Sequence, residues 1–398
     1  MTEHLSPYLR LITLAALCFF ATACGSSDSE DGDSDSRSCT AVEVSEELSG
    51  GVILDDDCYI FSRALGIDDG ELVITAGTTL YFEQDSGLVV QQSGQLRIEG
   101  SADEPVILRG DDEELGAWRG IYLESSGPHH ITHARISDAG GRLWDFAHEL
   151  TRGGLVLNGG ASVDVDEVHF MNNEHSAITS ASPDTVLTID NAYFADNDLP
   201  MRLHAPLIDS LTGALSFENN RNDYVFVHTG EPLTTDATWV PLDVPYQFES
   251  PLPVHSHIII EPETELIFER HAGLDFHGGT LFVDATGSDP VRFVGATDTA
   301  GYWRGLRFRS TPATGNQLTN VEVLHAGSER WDTSWSNSQA NVLVHDGGNL
   351  TINHALIADG DYHGISTRDA VVTGCEGLTF RDNRRHDSHF HDGDEVCF

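Results

Sequence analysis

A set of short motifs occurs twice in this chain, and that recurrence limits the possible fold more than any other feature. Leu80-Tyr81-Phe82-Glu83 and Gly87-Leu88 return as Leu266-Ile267-Phe268-Glu269 and Gly273-Leu274, a displacement of 186 (273 − 87). Pro105 returns as Pro290, and Trp118-Arg119-Gly120-Ile121 as Trp303-Arg304-Gly305-Leu306, one position short of that register. Ala139-Gly140 and Trp144-Asp145 return as Ala326-Gly327 and Trp331-Asp332, one position beyond it. Phe194-Ala195-Asp196-Asn197 returns as Phe380-Arg381-Asp382-Asn383. A register held over so long a span reads as a duplication, with halves at about 67–200 and 253–385. Such a chain needs a fold in which one half continues into the next, as stacked repeats do.

Between the motifs lie short alternating runs such as Thr79-Leu80-Tyr81-Phe82, Gln95-Leu96-Arg97-Ile98 and Gly120-Ile121-Tyr122-Leu123. Their period of two and their Gly, Asn and Asp boundaries predict strands. Asn-Gly and Asp-Gly hairpin turns are not the regular connector, which disfavours a meander or sandwich. Bends after three to five residues suit an all-β solenoid of parallel strands. Asn172-Asn173, Asn219-Asn220 and Asp382-Asn383 follow strand ends and are placed to stack as polar ladders at a bend.

The succession Gly77-Thr78-Thr79-Leu80-Tyr81-Phe82, Gly87-Leu88, Gly94-Gln95-Leu96-Arg97-Ile98-Glu99-Gly100, Pro105-Val106-Ile107-Leu108 and Trp118-Arg119-Gly120-Ile121 resembles the right-handed parallel β-helix, pectin-lyase-like repeats of bacterial cell-surface lipoproteins. Trp239-Val240-Pro241, Val244-Pro245-Tyr246 and Ile258-Ile259-Ile260-Glu261-Pro262 match the way such proteins restart. The resemblance implies one β-helix domain over 39–398, with the likeness itself spanning roughly 50–385. It is nearly silent on activity, because the fold hosts lyases, hydrolases, adhesins and proteins with no reaction.

Residues 1–23 combine Arg10, an apolar run from Leu11 to Phe20 and small residues before Cys24, the grammar of a signal peptide. Ala21-Thr22-Ala23-Cys24 resembles a bacterial lipobox with Ala in place of Leu, which implies lipidation at Cys24 and a membrane anchor. Gly25 after the cysteine implies the outer membrane, facing periplasm or cell surface. Residues 24–38 are rich in Ser and Asp and read as a flexible tether. The remaining Cys39, Cys58, Cys375 and Cys397 allow three connectivities, and locality favours Cys39–Cys58 and Cys375–Cys397 in an oxidising compartment.

Against 64 acidic residues stand 21 basic ones, all arginine, for a net charge of −43. Such a surface repels phosphate backbones, so no nucleic-acid partner is expected. Asp361-Tyr362-His363-Gly364 resembles the His-Gly motif of polygalacturonases, which makes Asp361 and His363 the catalytic candidates of a glycoside hydrolase. The paired-aspartate motif and the Arg-Ile-Lys of that family are missing. A calcium-dependent polysaccharide lyase would need a carboxylate cluster and a basic residue, but Arg119 and Arg304 occur in both halves and read as structural. His386, His389 and His391 with their neighbouring aspartates are the candidate ligands for Ca2+ or another divalent ion. Trp335 and Tyr362 are the candidates for stacking on sugar rings, while Trp331 has a counterpart in Trp144. The expectation is a non-catalytic surface scaffold that binds a polysaccharide or a surface protein. The alternatives are an enzyme on the same fold and a purely structural envelope component.

Overall fold

A computed structural model of the chain describes residues 39–146, 148 and 150–397. The expected signal peptide 1–23, Cys24 and the tether 24–38 lie outside the described residues. The described chain is nearly all-β, with a single short 3-10 helix at Ala205–Ser210. Its strands pair in parallel, in sheets of twelve, thirteen, seven and six strands. Each pairing joins a strand to one a few dozen residues later: Cys58 lies beside Thr79, Thr79 beside Ile107, and Ala340 beside His363. Long parallel sheets of this kind are consistent with a β-helix.

Alternation explains which side chains fill the interior. In Val106–Gly110, Val106, Leu108 and Gly110 are buried while Ile107 and Arg109 are partly exposed. Because pairing is in register, the inward residues form continuous columns. Leu80, Leu108, Ile136, Phe170, Phe194 and Phe217 follow one another in this way. The three phenylalanine rings stack 5.3 and 5.4 Å apart, close to the separation of adjacent strands.

The recurring motifs do not return to the same sheet. Thr79–Phe82 belongs to the twelve-stranded sheet, whereas its counterpart Glu265–Phe268 belongs to the thirteen-stranded one. Gly87–Val90 lies in the thirteen-stranded sheet and Gly273–His277 in the six-stranded one. Equivalent side chains therefore face different sides of the body.

The twelve-stranded sheet holds two rows joined by long bent strands. His129–Ser137 pairs with Gln95–Glu99 through its first part and with Val106–Gly110 through its second. Between the two parts His133 has φ 46°, and in the neighbouring Ser162–Met171 the bend falls at Glu167, φ 54°. These left-handed residues turn the chain without breaking the strand, and they splay their side chains along the corner.

Polar corners are satisfied in rows. Asn173 Nδ2 donates to Asn197 Oδ1 at 2.9 Å, and Asn197 Nδ2 donates to Asn220 Oδ1 at 3.0 Å. Of the expected rungs, Asn173 and Asn220 are thus joined, through Asn197, which is not among them, while Asn383 lies elsewhere and donates to Ile357 O at 3.0 Å. Both disulfides, Cys39–Cys58 and Cys375–Cys397, form, with Cα atoms 6.4 and 6.0 Å apart.

Candidate functional site

The Trp-Arg-Gly units are packing devices. Trp118 and Trp303 are buried, and each indole N–H donates to a main-chain carbonyl, of Ser137 at 2.7 Å and of Leu324 at 2.6 Å. The arginine that follows lies over a second tryptophan, Arg119 over Trp144 at 5.4 Å and Arg304 over Trp331 at 4.6 Å. Gly87 and Gly273 make room below: a Cβ there would sit 2.9 and 3.0 Å from the Trp144 and Trp331 rings. The second tryptophans belong to straps laid across the sheet, closed by Thr151 and Ser338 hydroxyls that donate to Asp145 O and Asp332 O at 2.9 and 2.8 Å.

Under the second strap lies a charged strip without counterpart in the first. Asp275 receives Arg309 at 3.0 Å and lies 3.6 Å from Arg307. Arg307 Nε donates to His345 Nε2 at 2.9 Å, and His345 Nδ1 lies 2.9 Å from Asp346. Burial, with Arg307 adding to it, lowers the His345 pKa to about 4, so the ring is neutral. At the positions of Asp275, Arg307 and His345 the first half has Val89, Tyr122 and Asn158. Trp335, expected as a sugar platform, is half-buried and takes Arg368 on its ring at 4.4 Å. Tyr362 likewise carries Arg385 at 4.9 Å and meets His363 edge-on at 4.5 Å.

The two catalytic candidates are each engaged by other groups. Asp361 is engaged by Arg384. His363 is 1% exposed and stacks face to face with His386 and His389, ring centres 5.4 and 4.9 Å away. Burial, with His389 and His386 beside it, lowers its pKa to about 4. These stacked rings present faces to one another, not converging nitrogens. His391 is fixed through its main-chain N–H to Asp394 at 3.0 Å. Among the described residues no group of three or more His, Cys, Asp or Glu is placed to hold a metal ion.

A different place emerges at the bend of the twelve-stranded sheet. A cleft of about 350 Å³ opens there, lined by Ser101, Ala102, Pro105, Ile107, His133, Ala134, Arg135, Glu167 and His169. Its size falls at the small end of ligand sites. Along one wall the outward row runs Thr79, Ile107, Arg135, His169, Tyr193 and Ser216 in register. The side chain of Arg135 makes no hydrogen bond, ion pair or ring contact among the described residues, a state that among the arginines only the side chain of Arg330 shares. Glu113, which feels Arg135 weakly, is held by Arg109 at 2.6 Å.

The second half fills the corresponding row differently. Glu265, Arg292 and Glu322 stand in register where the first half has Thr79, Ile107 and Arg135. Arg292 binds Glu265 at 2.6 Å and Glu322 at 3.2 Å, so that row closes on itself. Nothing in the local sequence marks Arg135 or Glu167. Aligning the halves and asking which charges lose their partner would have found Arg135. Three histidines lie on the same bent strand: His129 is buried and accepts Leu96 N–H at 3.1 Å, His130 lies 3.2 Å from Asp164, and His133 lines the cleft.

Compared with protein-family models, with curated proteins and with solved structures, the chain matches none.

Proposed function

We propose that this protein is a lipid-anchored component of the bacterial cell envelope whose folded part is a right-handed parallel β-helix of two duplicated halves. Its role is to present binding rows to a glycan or protein ligand, without catalysis. The observation that carries this reading is Arg135, left unpaired in a cleft on one half while the equivalent row of the other half is closed by Glu265, Arg292 and Glu322. What sets Arg135 apart is its place: its row opens into a cleft, where the other row is closed by carboxylates on both sides of its arginine. Parallel rows spaced by one strand, about 4.8 Å, suit a rigid ligand contacted at several levels. The engagement of Asp361 by Arg384 and the burial of His363 support the non-catalytic side of the reading.

The test is to incubate the purified protein with neutral and acidic polysaccharides and with peptide arrays, with and without calcium. Retention on a ligand without new reducing ends or unsaturated products, weakened by Arg135→Gln, is the expected result. Turnover of a polymer would overturn the non-catalytic reading, and absence of any retention would leave an envelope component without a ligand.

A further inference from the structure

The cleft at the bend carries two unpaired charges of opposite sign. The side chain of Glu167, exposed at the corner, makes no hydrogen bond or ion pair among the described residues, and neither does that of Arg135 on the strand beside it. The two line the same cleft, yet they form no ion pair with each other. The apolar part of the cleft lining is Ala102, Pro105, Ile107 and Ala134, with His133 and His169 beside the two charges. On an ordinary surface, long side chains of opposite charge that can meet gain little by doing so and are commonly seen paired. In the register Arg135 pairs with His169, two positions beyond Glu167, and Glu167 itself takes a left-handed φ of 54°.

We propose that this cleft binds a small zwitterion with an apolar side chain, an α-amino acid or dipeptide, its carboxylate on Arg135 and its ammonium on Glu167. This rests on the reading of the row as a ligand-presenting surface and names what that surface takes. Three features favour a zwitterion over a simple anion. A chain of net charge −43 repels net anions and leaves a net-neutral molecule unaffected. An anion would meet Arg135 but would also be brought up against Glu167. The volume of about 350 Å³ suits a molecule of this size, or the end of a longer peptide. Both contacts are charge-assisted hydrogen bonds, and Ile107 and Pro105 cover the side chain.

The experiment is calorimetric titration of the full chain with L-leucine, N-acetyl-leucine and leucinamide, repeated on Arg135→Gln and Glu167→Gln. Both side chains are exposed and partnerless, so the variants are expected to fold, and unchanged thermal melting checks this. Leucine should bind; blocking either of its charges, or removing either protein charge, should weaken binding roughly tenfold or more. The losses should match: Arg135→Gln should no longer distinguish leucine from leucinamide, and Glu167→Gln should no longer distinguish it from N-acetyl-leucine. Absence of leucine binding at millimolar concentration, or equal binding of the half-charged analogues, overturns the proposal. If leucine fails while a glycan or longer peptide binds in an Arg135-dependent way, the ligand class named here falls and the ligand-presenting surface stands. If nothing binds at all, both fall.

Discussion

The indole of Trp118 lies flat on the ring of Phe82, centres 4.0 Å apart and planes 6° from parallel, and Trp303 lies on Phe268 in the same way at 4.1 Å and 8°. The two pairs sit on different sheets, so what recurs is the local device and not the face it serves. Each indole is fully packed and its N–H is satisfied by a carbonyl 19 and 21 residues further on, respectively. Trp118→Ala and Trp303→Ala should each cost about 3–5 kcal/mol, and by similar amounts. Urea denaturation followed by circular dichroism checks this. A large difference between the two would show that the equivalent packing is not equivalent in energy.

The asparagine ladder makes a sharper forecast. Asn197 serves Phe170 O and Asn220 Oδ1 as donor and accepts from the main chain and side chain of Asn173. Asn197→Ala strands polar groups above and below in a buried corner, at about 2–4 kcal/mol. Asn220 ends the row and reaches out to Asp223, so Asn220→Ala should cost less. The same denaturation series reads the order, and a reversal would count against a cooperative ladder.

Much of this architecture was legible in the sequence, because strand period and repeat register are local properties. Phe82 could be placed in a strand, and Asn173 and Asn220 at a bend, from their spacing alone. The shift of Glu265–Phe268 onto a sheet other than that of Thr79–Phe82 was not legible. It depends on how many residues the chain between the recurring motifs spends from one paired strand to the next, which a sequence offset does not record. The cleft was hidden for a related reason: the openness of Arg135 is the absence of a partner, and partners here come from residues about thirty positions away. Trp335 and Tyr362 looked available for sugars because sequence alone does not show that Arg368 and Arg385 cover them.

Stability should fall as the medium is acidified below neutrality. Burial lowers the pKa of His175, His204, His345 and His363 to about 4, against about 6.5 in the unfolded chain. Above about pH 7 neither state binds these protons, and the four rings contribute no slope. Between about 6.5 and 4 the unfolded chain takes up protons that the folded one refuses, so stability is lost as pH falls through that window. Carboxyls such as Asp332 and Asp346, whose pKa values are lowered, extend the loss further down as they protonate. Urea midpoints from pH 7.5 to 4.5 should drop, and His363→Asn should flatten the slope. A midpoint that rises on acidification would contradict the burial of these rings.

The proposed anchor has a direct test. Replacing Cys24 by Ser should abolish incorporation of labelled fatty acid and release the protein from the membrane fraction. Labelling that survives the substitution would mean that the chain is held by other means.

The contrast between the halves can be turned into an experiment on the cleft itself. Thr79, Ile107 and Arg135 stand where Glu265, Arg292 and Glu322 form their closed row. The triple variant Thr79→Glu, Ile107→Arg, Arg135→Glu transplants that row into the first half. Partly exposed ion pairs contribute only about 0–1 kcal/mol each, so melting should barely change. Ligand binding should be lost, because the cation now lies paired at position 107 and the apolar wall has lost its isoleucine. If Thr79→Glu with Ile107→Arg alone also removes binding while Arg135 remains, closure of the wall is enough. If binding survives the full transplant, the ligand does not use this row, and the difference between the halves needs another cause.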